Sequence, residues 1–148
     1  MHSDPAQLFA EHRWDEIASR IDTGTTNPDS SRALIVFNTT SEPLSGIAVF
    51  HVDMPWRDGR ELQGIQVSHL LSQRVCISSI SEPIFSGGRI MFDLCFEVVD
   101  IPALGWDTYI AEYVETATNK LSTLHPNTVD LVVHETPRHT GSLSPKYP

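Results

Sequence analysis

The most informative stretch for the architecture is VVDIPALGWDTYIAEY, residues 98–113, in which two runs rich in β-forming residues flank Pro102 to Gly105. Proline after a strand cannot donate to a β-ladder, and glycine is favoured at the last position of a type I turn. The stretch therefore predicts a strand, a tight type I corner and a return strand. Because the corner carries no charge, we expect Ala103 and Leu104 to fold inward over the core. If Gly105 has a positive φ, Gly105→Val should be strongly destabilising.

Strand-like patterns continue away from this corner. The run ALIVF, residues 33–37, is too short for a helix and has no polar interruption, which indicates a strand buried on both faces. Many short strands with regularly spaced turns favour an antiparallel β-sandwich. The other predicted elements are strands at 47–54, between Leu62 and Ile80, and at 89–101, with a turn at Asp58-Gly59 and a break from Glu82 to Gly88.

The N-terminus predicts one helix. Asp4 precedes Pro5, and Gln7 follows three residues after Asp4, which is the pattern of an N-cap, a proline at the first helical position and a capping-box partner. We therefore expect a mainly β protein, an antiparallel β-sandwich with one N-terminal α-helix. An apolar stripe at helical spacing marks the face that packs on the sandwich: Trp14, Ile17, Ala18 and Ile21.

The 148 residues are enough for one domain, which would bury roughly 70% of the surface that its unfolded chain exposes. Turn-forming residues separate the helix from the first strand, and the pattern weakens again after Val114. The predicted parts are the N-terminal helix (1–22), a linker (23–32), the β-sandwich (33–114) and an irregular C-terminal extension (115–148) with one short strand in TVDLVVHE.

Composition excludes several classes of protein. Hydrophobic residues make up 40% and charged residues 20% of the chain, and a net charge of -9 offers no basic face to a nucleic acid. The N-terminus does not resemble a secretory signal, and no apolar run approaches the roughly 20 residues that span a bilayer. We expect a cytoplasmic protein with no nucleic-acid or membrane partner. Cys76 and Cys95 lie in apolar runs and are expected to be buried thiols, unless their strands face each other closely enough for a disulfide.

His51-Val52-Asp53 is the strongest candidate for chemistry. Residues two apart on a strand point to the same face, so this histidine and aspartate could share a divalent metal. A metal site needs three or four ligands, and no second cluster has ligand spacing. We therefore favour a solvent-facing pair and predict neither a metal nor a cofactor. The other potential ligands are scattered along strands and in the C-terminal extension: Asp93, Glu97, His134 and His139.

The remaining candidates each have a simpler interpretation. Carboxylates in turns are usually only solvated, and a serine beside two glycines is neither a nucleophile elbow nor a phosphate loop when no helix follows. Tryptophans beside turns could stack on a sugar but are more often core residues. We therefore assign no catalytic, cofactor-binding or metal-binding residue among Asp58, Glu61, Glu82, Ser86, Gly87, Gly88, Trp56 and Trp106.

A series of short motifs runs through residues 33–113. They are Phe37-Asn38-Thr39, Pro43, Asp58-Gly59, Gln66, and Pro102-Ala103-Leu104-Gly105-Trp106 with Tyr109. In order and spacing this series resembles the β-sandwich that follows the catalytic domain in glycoside hydrolase family 38, the α-mannosidase and mannosylglycerate hydrolase group. The leading helix and the segment TVDLVVHETPRHTGSL are similar to what precedes and follows this sandwich.

This resemblance implies a non-catalytic accessory segment that supports the catalytic domain or subunit of a retaining, zinc-assisted glycosidase. The family's H-x-D pair, nucleophilic aspartate and zinc ligands belong to the catalytic domain, so no such role passes to His51 or Asp53. The loop at residues 40–45 also lacks the aromatic and basic residues that are usual there. If the segment is a truncated sandwich, its last strand would lack a sheet and expose an apolar edge for self-association.

Two alternatives remain open. The chain could be a stand-alone carbohydrate-binding module that stacks a sugar on Trp56 or Trp106. It could also be a small metal-dependent hydrolase built on His51 and Asp53. Sugar titration and zinc stoichiometry would distinguish these two alternatives from the accessory segment.

Overall fold

The structure, a computed structural model, describes residues 4–20, 31–56, 62, 64–113, 120–121, 124–127 and 131–135. Two short helices, α1 (Pro5–Ala10) and α2 (Trp14–Ser19), precede the strands. The protein is mainly β, as predicted. The strands are β1 (Ser31–Asn38), β2 (Leu44–Pro55), β3 (Ile65–His69), β4 (Ser78–Ile80), β5 (Ile84–Ser86), β6 (Arg89–Ile101), β7 (Trp106–Tyr113), β8 (Lys120–Leu121) and β9 (Leu131–Glu135).

The strands form two sheets. Sheet 1 has the order β3-β7-β1-β9, and sheet 2 has the order β2-β6-β4-β8, with β5 also paired to β6. The pairs are antiparallel, except that β4 and β8 run parallel. The prediction of an antiparallel β-sandwich is therefore confirmed.

Strand β1 is buried on both faces, as its uninterrupted apolar run predicted. Leu34 and Val36 lie in the core between the two sheets, whereas Ile35 and Phe37 lie in a second core under the helices. Because side chains alternate across a strand, a strand with a layer on each side must be apolar at every position. The second core also contains Leu8, Phe9, Ile17, Ala18 and Trp106, so the helices form a third layer over sheet 1.

The N-terminal segment is two helices, and the prediction of one helix is wrong. Asp4 caps α1 as predicted, since its Oδ1 accepts the Ala6 N–H at 3.1 Å. The predicted capping-box bond from the Asp4 N–H to Gln7 is not among the described hydrogen bonds, and the Gln7 side chain instead donates through Nε2 to Glu11 Oε2 at 3.1 Å. Ile21 lies outside the described residues. In the part of the chain that the structure covers, no helix is long and apolar enough to cross a membrane.

His12 ends α1 in a left-handed conformation, with a φ of 56°. The His12 N–H donates to Phe9 O at 3.0 Å, and the Arg13 N–H donates to Leu8 O at 2.9 Å. These two bonds satisfy the last carbonyls of the helix in the Schellman pattern. The sequence does not predict that α1 ends here, because a glycine or asparagine usually occupies the left-handed position and this chain has a histidine.

The predicted corner after β6 exists, but its turn type is different. The Gly105 N–H donates to Pro102 O at 3.1 Å and closes the four-residue turn. The positive φ, 50°, belongs to Leu104 at the third position, as in a type II turn. Leu104 is 54% exposed, so it does not cover the core. Gly105 is not among the described glycines with a positive φ. The strong destabilisation expected for Gly105→Val depended on such a φ and is therefore no longer expected on that ground.

The predicted break from Glu82 to Gly88 contains strand β5, which pairs with β6. Gly87 and Gly88 connect the two strands with φ values of 58° and 75°. Positive φ at both central positions is the mark of a type I′ hairpin turn. The glycine pair therefore makes a tight hairpin where a break was predicted.

Among the described residues after 114, two segments add strands to the sheets, β8 and β9, where one strand was predicted. β8 joins sheet 2, and β9 pairs with β1 in sheet 1, so the expectation that the last strand lacks its sheet is wrong. Ser31 and Arg32, predicted as linker, begin β1, and linker residues 23–30 lie outside the described residues. The division of the chain into four parts otherwise stays a prediction.

Candidate functional site

Two of the motif segments that carry the family resemblance, Phe37-Asn38-Thr39 and Pro102-Ala103-Leu104-Gly105, meet at Asn38, whose side chain is completely buried. Its Nδ2 donates to Glu42 O at 2.7 Å and to Ile101 O at 3.1 Å. Its Oδ1 accepts the Thr40 N–H at 2.9 Å and lies 2.7 Å from Thr40 Oγ1. Each polar atom of the amide thus has two partners, which is its full capacity. Asn38 ties the loop after β1 to the end of β6.

Backbone hydrogen bonds complete this junction, which we call the Asn38 corner. The Asn38 N–H donates to Gly105 O at 2.8 Å, and the Leu104 N–H donates to Thr40 O at 2.9 Å. A buried polar side chain is costly unless it is hydrogen-bonded, and here the partners are backbone groups and one threonine. The Asn38 corner joins the loop after β1 to the turn between β6 and β7. The polar atoms of the Asn38 amide are all used in hydrogen bonds within the chain.

His51 and Asp53 lie on the same face of β2 but do not form a site together. His51 Nδ1 is 2.9 Å from Asp93 Oδ1, and Arg89 Nε donates to Asp53 Oδ1 at 2.7 Å. Both pairs are exposed on the outer face of sheet 2, where such ion pairs contribute about 0–1 kcal/mol. Among the residues with described positions, no group of three or more His, Cys, Asp or Glu could hold a metal ion.

The two tryptophans proposed as a sugar platform are core residues. Trp56 is 6% exposed and lies between the sheets, where its ring meets Tyr113 edge-on at 5.3 Å. Trp106 is 2% exposed and stacks on Phe9 at 6.0 Å under the helices. Neither ring offers a free face to a sugar, so a platform built on these residues is wrong.

The remaining candidates do not converge either. Glu82 is exposed, and Ser86 lies in the β5–β6 hairpin. Glu97 Oε1 lies 3.3 Å from Arg74 Nη1, and His134 Nδ1 lies 3.1 Å from Asp15 Oδ1. Three further candidates lie outside the described residues: Asp58, Glu61 and His139.

Cys76 and Cys95 are free and buried, which confirms the interpretation as buried thiols. Burial raises the pKa of both groups. Nearby Asp93 adds to this effect on the pKa of Cys95, and Arg74 opposes it at Cys76. Because the thiolate is the nucleophilic form, neither cysteine is prepared for nucleophilic chemistry.

An open groove of about 170 Å³ lies on the outer face of sheet 2, where residues 124–126 pass over β6. The Leu124 N–H holds this crossing segment by donating to Ser79 Oγ at 3.1 Å. Cys95 and Val49 line the groove together with Asp93, whose carboxylate is already paired with His51. The groove is therefore lined by a thiol, apolar side chains, two serines, the His125 imidazole and a carboxylate that is hydrogen-bonded to His51.

A second polar network, which sequence reasoning missed, lies at the turn after β3. His69 Nε2 is 2.7 Å from Asp107 Oδ2, and His69 Nδ1 is 2.8 Å from Ser72 Oγ. The second carboxylate oxygen of Asp107 accepts the Thr108 N–H at 2.9 Å. We call the chain Ser72–His69–Asp107 the His69 network. It contains a hydroxyl, an imidazole and a buried carboxylate in hydrogen-bonded order.

The register between β3 and β7 explains this network. His69 lies opposite Tyr109, and Asp107 is two residues before Tyr109, so the side chains share the inner face of sheet 1. The turn is closed by the His69 N–H to Arg74 O and the Gln73 N–H to His69 O, both at 2.8 Å. The sequence signal, a histidine three residues before a serine, is weak, because the aspartate is 38 residues away.

No protein-family model and no curated protein matches the sequence. Among solved structures, a protein in glycosyl hydrolase family 38 from Enterococcus faecalis matches with a TM-score of 0.51 and 15% identity over 74% of this chain and 16% of that chain. An α-mannosidase from Enterococcus faecalis V583 matches with a TM-score of 0.50 and 16% identity over 78% of this chain and 15% of that chain.

The chain thus spans about one sixth of the length of the solved chains that it matches. At this level of identity the likeness concerns the fold. The resemblance predicted from the short motifs is confirmed at that level. The chain has the fold of one part of a family 38 glycoside hydrolase.

Proposed function

We propose that the protein is a non-catalytic β-sandwich segment of an α-mannosidase-like glycosidase and that it supports a separate catalytic domain. The observation that carries this proposal is the partial match, in which about three quarters of this chain correspond to 15–16% of much larger glycosidase chains. A domain that forms a small part of a large enzyme packs against its neighbours. The cytoplasmic location expected from the sequence is part of the same proposal.

The Asn38 corner supports a structural role. Asn38, one of the residues that carry the family resemblance, uses its side-chain hydrogen bonds on the Glu42 and Ile101 carbonyls and the Thr40 N–H. His51 and Asp53 are held in separate surface pairs, which removes support from a metal-dependent hydrolase. The burial of Trp56 and Trp106 does the same for a carbohydrate-binding module built on them.

Exposed apolar residues on sheet 2 provide a surface for the catalytic domain. Ile77 is 63% exposed and lies opposite Glu97, whose N–H donates to Ile77 O at 2.9 Å. Val99 is 41% exposed and lies two residues further along the same face of β6. Covering such surface stabilises a complex by about 25 cal/mol per Å². We infer that the partner that covers this surface is a catalytic domain and not a second copy of the chain. Two copies with a net charge of -9 each would repel one another.

The test is co-expression with an α-mannosidase catalytic polypeptide from the same genome that has been produced without its own sandwich. We expect a stable complex that Ile77→Lys weakens by at least roughly tenfold, because a charge would enter an apolar interface. The matched control is Ile84→Lys, which changes an equally exposed isoleucine, 62%, at the other end of β6. This control should leave binding unchanged.

Two results would contradict the proposal. One is the failure of the unmodified chain to bind such a catalytic polypeptide. The other is zinc-dependent hydrolysis of an aryl α-mannoside by the chain alone, which would show that it has glycosidase chemistry of its own. Self-association of the chain that Ile77→Lys abolishes would assign the apolar surface to a second copy.

A further inference from the structure

The geometry of the His69 network points to a second activity. We propose that Ser72 is an activated nucleophile, that His69 is its general base, and that Ser72 takes the acyl group from small activated esters. This activity is independent of the proposed packing against a catalytic domain. It uses neither the Asn38 corner nor the apolar surface around Ile77.

The hydrogen bonds of His69 indicate which ring nitrogen carries the proton in the neutral ring. The Asp107 carboxylate can only accept, so His69 Nε2 carries a proton and donates it. The Ser72 backbone N–H donates to Nδ1 at 3.2 Å, so Nδ1 presents its lone pair. In the neutral imidazole with this tautomer, the Nδ1 lone pair lies on the side of Ser72, where the backbone N–H and the hydroxyl group of that serine share it. In this form His69 can remove a proton from Ser72.

Burial decreases along the network from Asp107 to Ser72. A nucleophile must be accessible to its substrate, whereas the carboxylate that orients its base can be buried. The side chain of Asp107 is 7% exposed and that of His69 is 15% exposed, whereas Ser72 lies in the open on the turn. The buried carboxylate orients the imidazole and stabilises the cation that forms when the ring takes up a proton. The Arg74 N–H donates to Ser72 Oγ at 3.2 Å, which leaves the hydroxyl proton free to point to Nδ1.

The ring nitrogens have the reverse of their roles in serine proteases, where the carboxylate holds Nδ1 and the serine meets Nε2. Either nitrogen can act as the base once the other donates to a carboxylate. The exposed position of Ser72 sets the substrate class. Small esters with a good leaving group, such as p-nitrophenyl acetate, can reach the hydroxyl and need no enclosed pocket.

The reaction proceeds in two balanced steps. Ser72 Oγ forms a bond to the acetyl carbon while its proton passes to His69 Nδ1, and the ester C–O bond breaks with its electron pair on p-nitrophenolate. His69 then releases that proton to the phenolate or to solvent. In the second step, water gives a proton to Nδ1 and its oxygen attacks the acetyl carbon. Acetic acid leaves as Ser72 Oγ recovers the proton from His69, and it then loses its own proton to solvent to give acetate.

The test measures acetylation of the full chain by p-nitrophenyl acetate, with the modified peptides identified by mass spectrometry. Ser45 provides the internal control, because it is exposed and accepts the Asp100 N–H at 2.8 Å, but no described hydrogen bond joins it to an imidazole. We expect Ser72 to be acetylated at least roughly 100-fold faster than Ser45, the lower range for a positioned general base. Ser72→Ala should abolish the modification at this turn.

His69→Gln should lower the rate at Ser72 by a similar factor. Because loss of His69 could also disturb the turn, the decisive variant is His69→Ala with added imidazole. Imidazole that enters the vacated space should act as the base and restore acetylation of Ser72. If the role of His69 were only structural, added imidazole would not restore the reaction. The proposal is overturned if Ser72 is acetylated no faster than Ser45, if His69→Gln leaves the rate unchanged, or if imidazole fails to restore it in folded His69→Ala.

Discussion

The Asn38 corner contains the turn that precedes β7, and the His69 network includes Asp107 at the start of β7, but the two differ in composition. The Asn38 corner is buried, contains no titratable side chain and bonds mostly to backbone groups. The His69 network contains two ionisable residues and runs from a buried carboxylate to an exposed hydroxyl. A network whose hydrogen bonds go to backbone groups stabilises the fold. A network that ends in an exposed serine hydroxyl still has a group that can react with a substrate.

Removal of the amide at Asn38 should have the largest effect. Asn38→Ala removes a hydrogen-bond partner from the Ile101 and Glu42 carbonyls and from the Thr40 N–H, although the Glu42 carbonyl keeps the Thr40 hydroxyl at 2.9 Å. A buried group that loses its partner costs about 1–3 kcal/mol, so we expect a loss of about 2 kcal/mol or more in the free energy of unfolding. Urea denaturation followed by tryptophan fluorescence would measure it.

The control for this variant is Ser41→Ala, an exposed position in the same loop. Surface substitutions of this kind usually change stability by less than about 0.5 kcal/mol. Equal effects of Asn38→Ala and Ser41→Ala would contradict the structural role of the Asn38 corner.

The His69 network should lose stability in a graded manner. Asp107→Asn removes a charge from a buried hydrogen bond to His69, and bonds to charged groups contribute about 1.5–3 kcal/mol. Ser72→Ala removes an exposed hydroxyl and should cost less than about 0.5 kcal/mol. Thermal or urea unfolding of the two variants would show the gradient. A larger loss at Ser72 than at Asp107 would mean that the serine is needed for the turn and would remove the distinction between the two networks.

Tyr109 tests whether the inner end of the His69 network is closed to water. Burial raises the pKa of this phenol above its ordinary value of 10, and nearby Asp107 adds to the effect. The unfolded chain therefore loses this proton first as the pH rises, so stability is complete below about pH 10 and falls above it by up to about 1.4 kcal/mol per pH unit.

Tyr109→Phe should remove this part of the alkaline loss, whereas Tyr113→Phe should not reproduce the change. Urea midpoints between pH 8 and pH 11 for the three proteins would measure it, on the order of one kcal/mol at the alkaline end. Parallel curves for the unmodified chain and Tyr109→Phe would indicate that the phenol already ionises freely in the folded state.

A small effect of opposite sign is expected at Leu104, in the turn between β6 and β7. Leu104 has a φ of 50° and is exposed, so its side chain contributes little packing while its backbone is strained. Leu104→Gly should stabilise the protein by about 0.5–1 kcal/mol, the cost of a left-handed residue less the entropy of glycine. Ala103→Gly is the control, because it adds chain entropy without relieving a positive φ. A destabilised Leu104→Gly protein would contradict the turn geometry.

Local patterns predicted the strands well because burial follows hydrophobic periodicity. The longest predicted strand, residues 89–101, coincides with β6, and the two-faced burial of β1 followed from its uninterrupted run. The left-handed residues His12 and Leu104 were missed because neither is glycine or asparagine. One of them divides the predicted helix, and the other changes the turn type of the corner.

Contacts between distant segments could not be predicted from the sequence. Asn38 meets the carbonyl of Ile101 across 63 residues, and His69 meets Asp107 across 38. These long-range hydrogen bonds depend on strand register, which no local sequence pattern specifies. The family resemblance gave the order of the motif residues but not the hydrogen bonds that join them.

Hydrogen exchange of individual amides tests the central claim, that the motif residues form a structural junction, most directly. The Asn38 and Leu104 N–H groups bond to Gly105 O and Thr40 O, so we expect both to exchange only through global unfolding. The Ser72 N–H, on the exposed turn, should exchange much faster through local opening. Exchange of the Asn38 and Leu104 amides as fast as that of Ser72 would contradict the account.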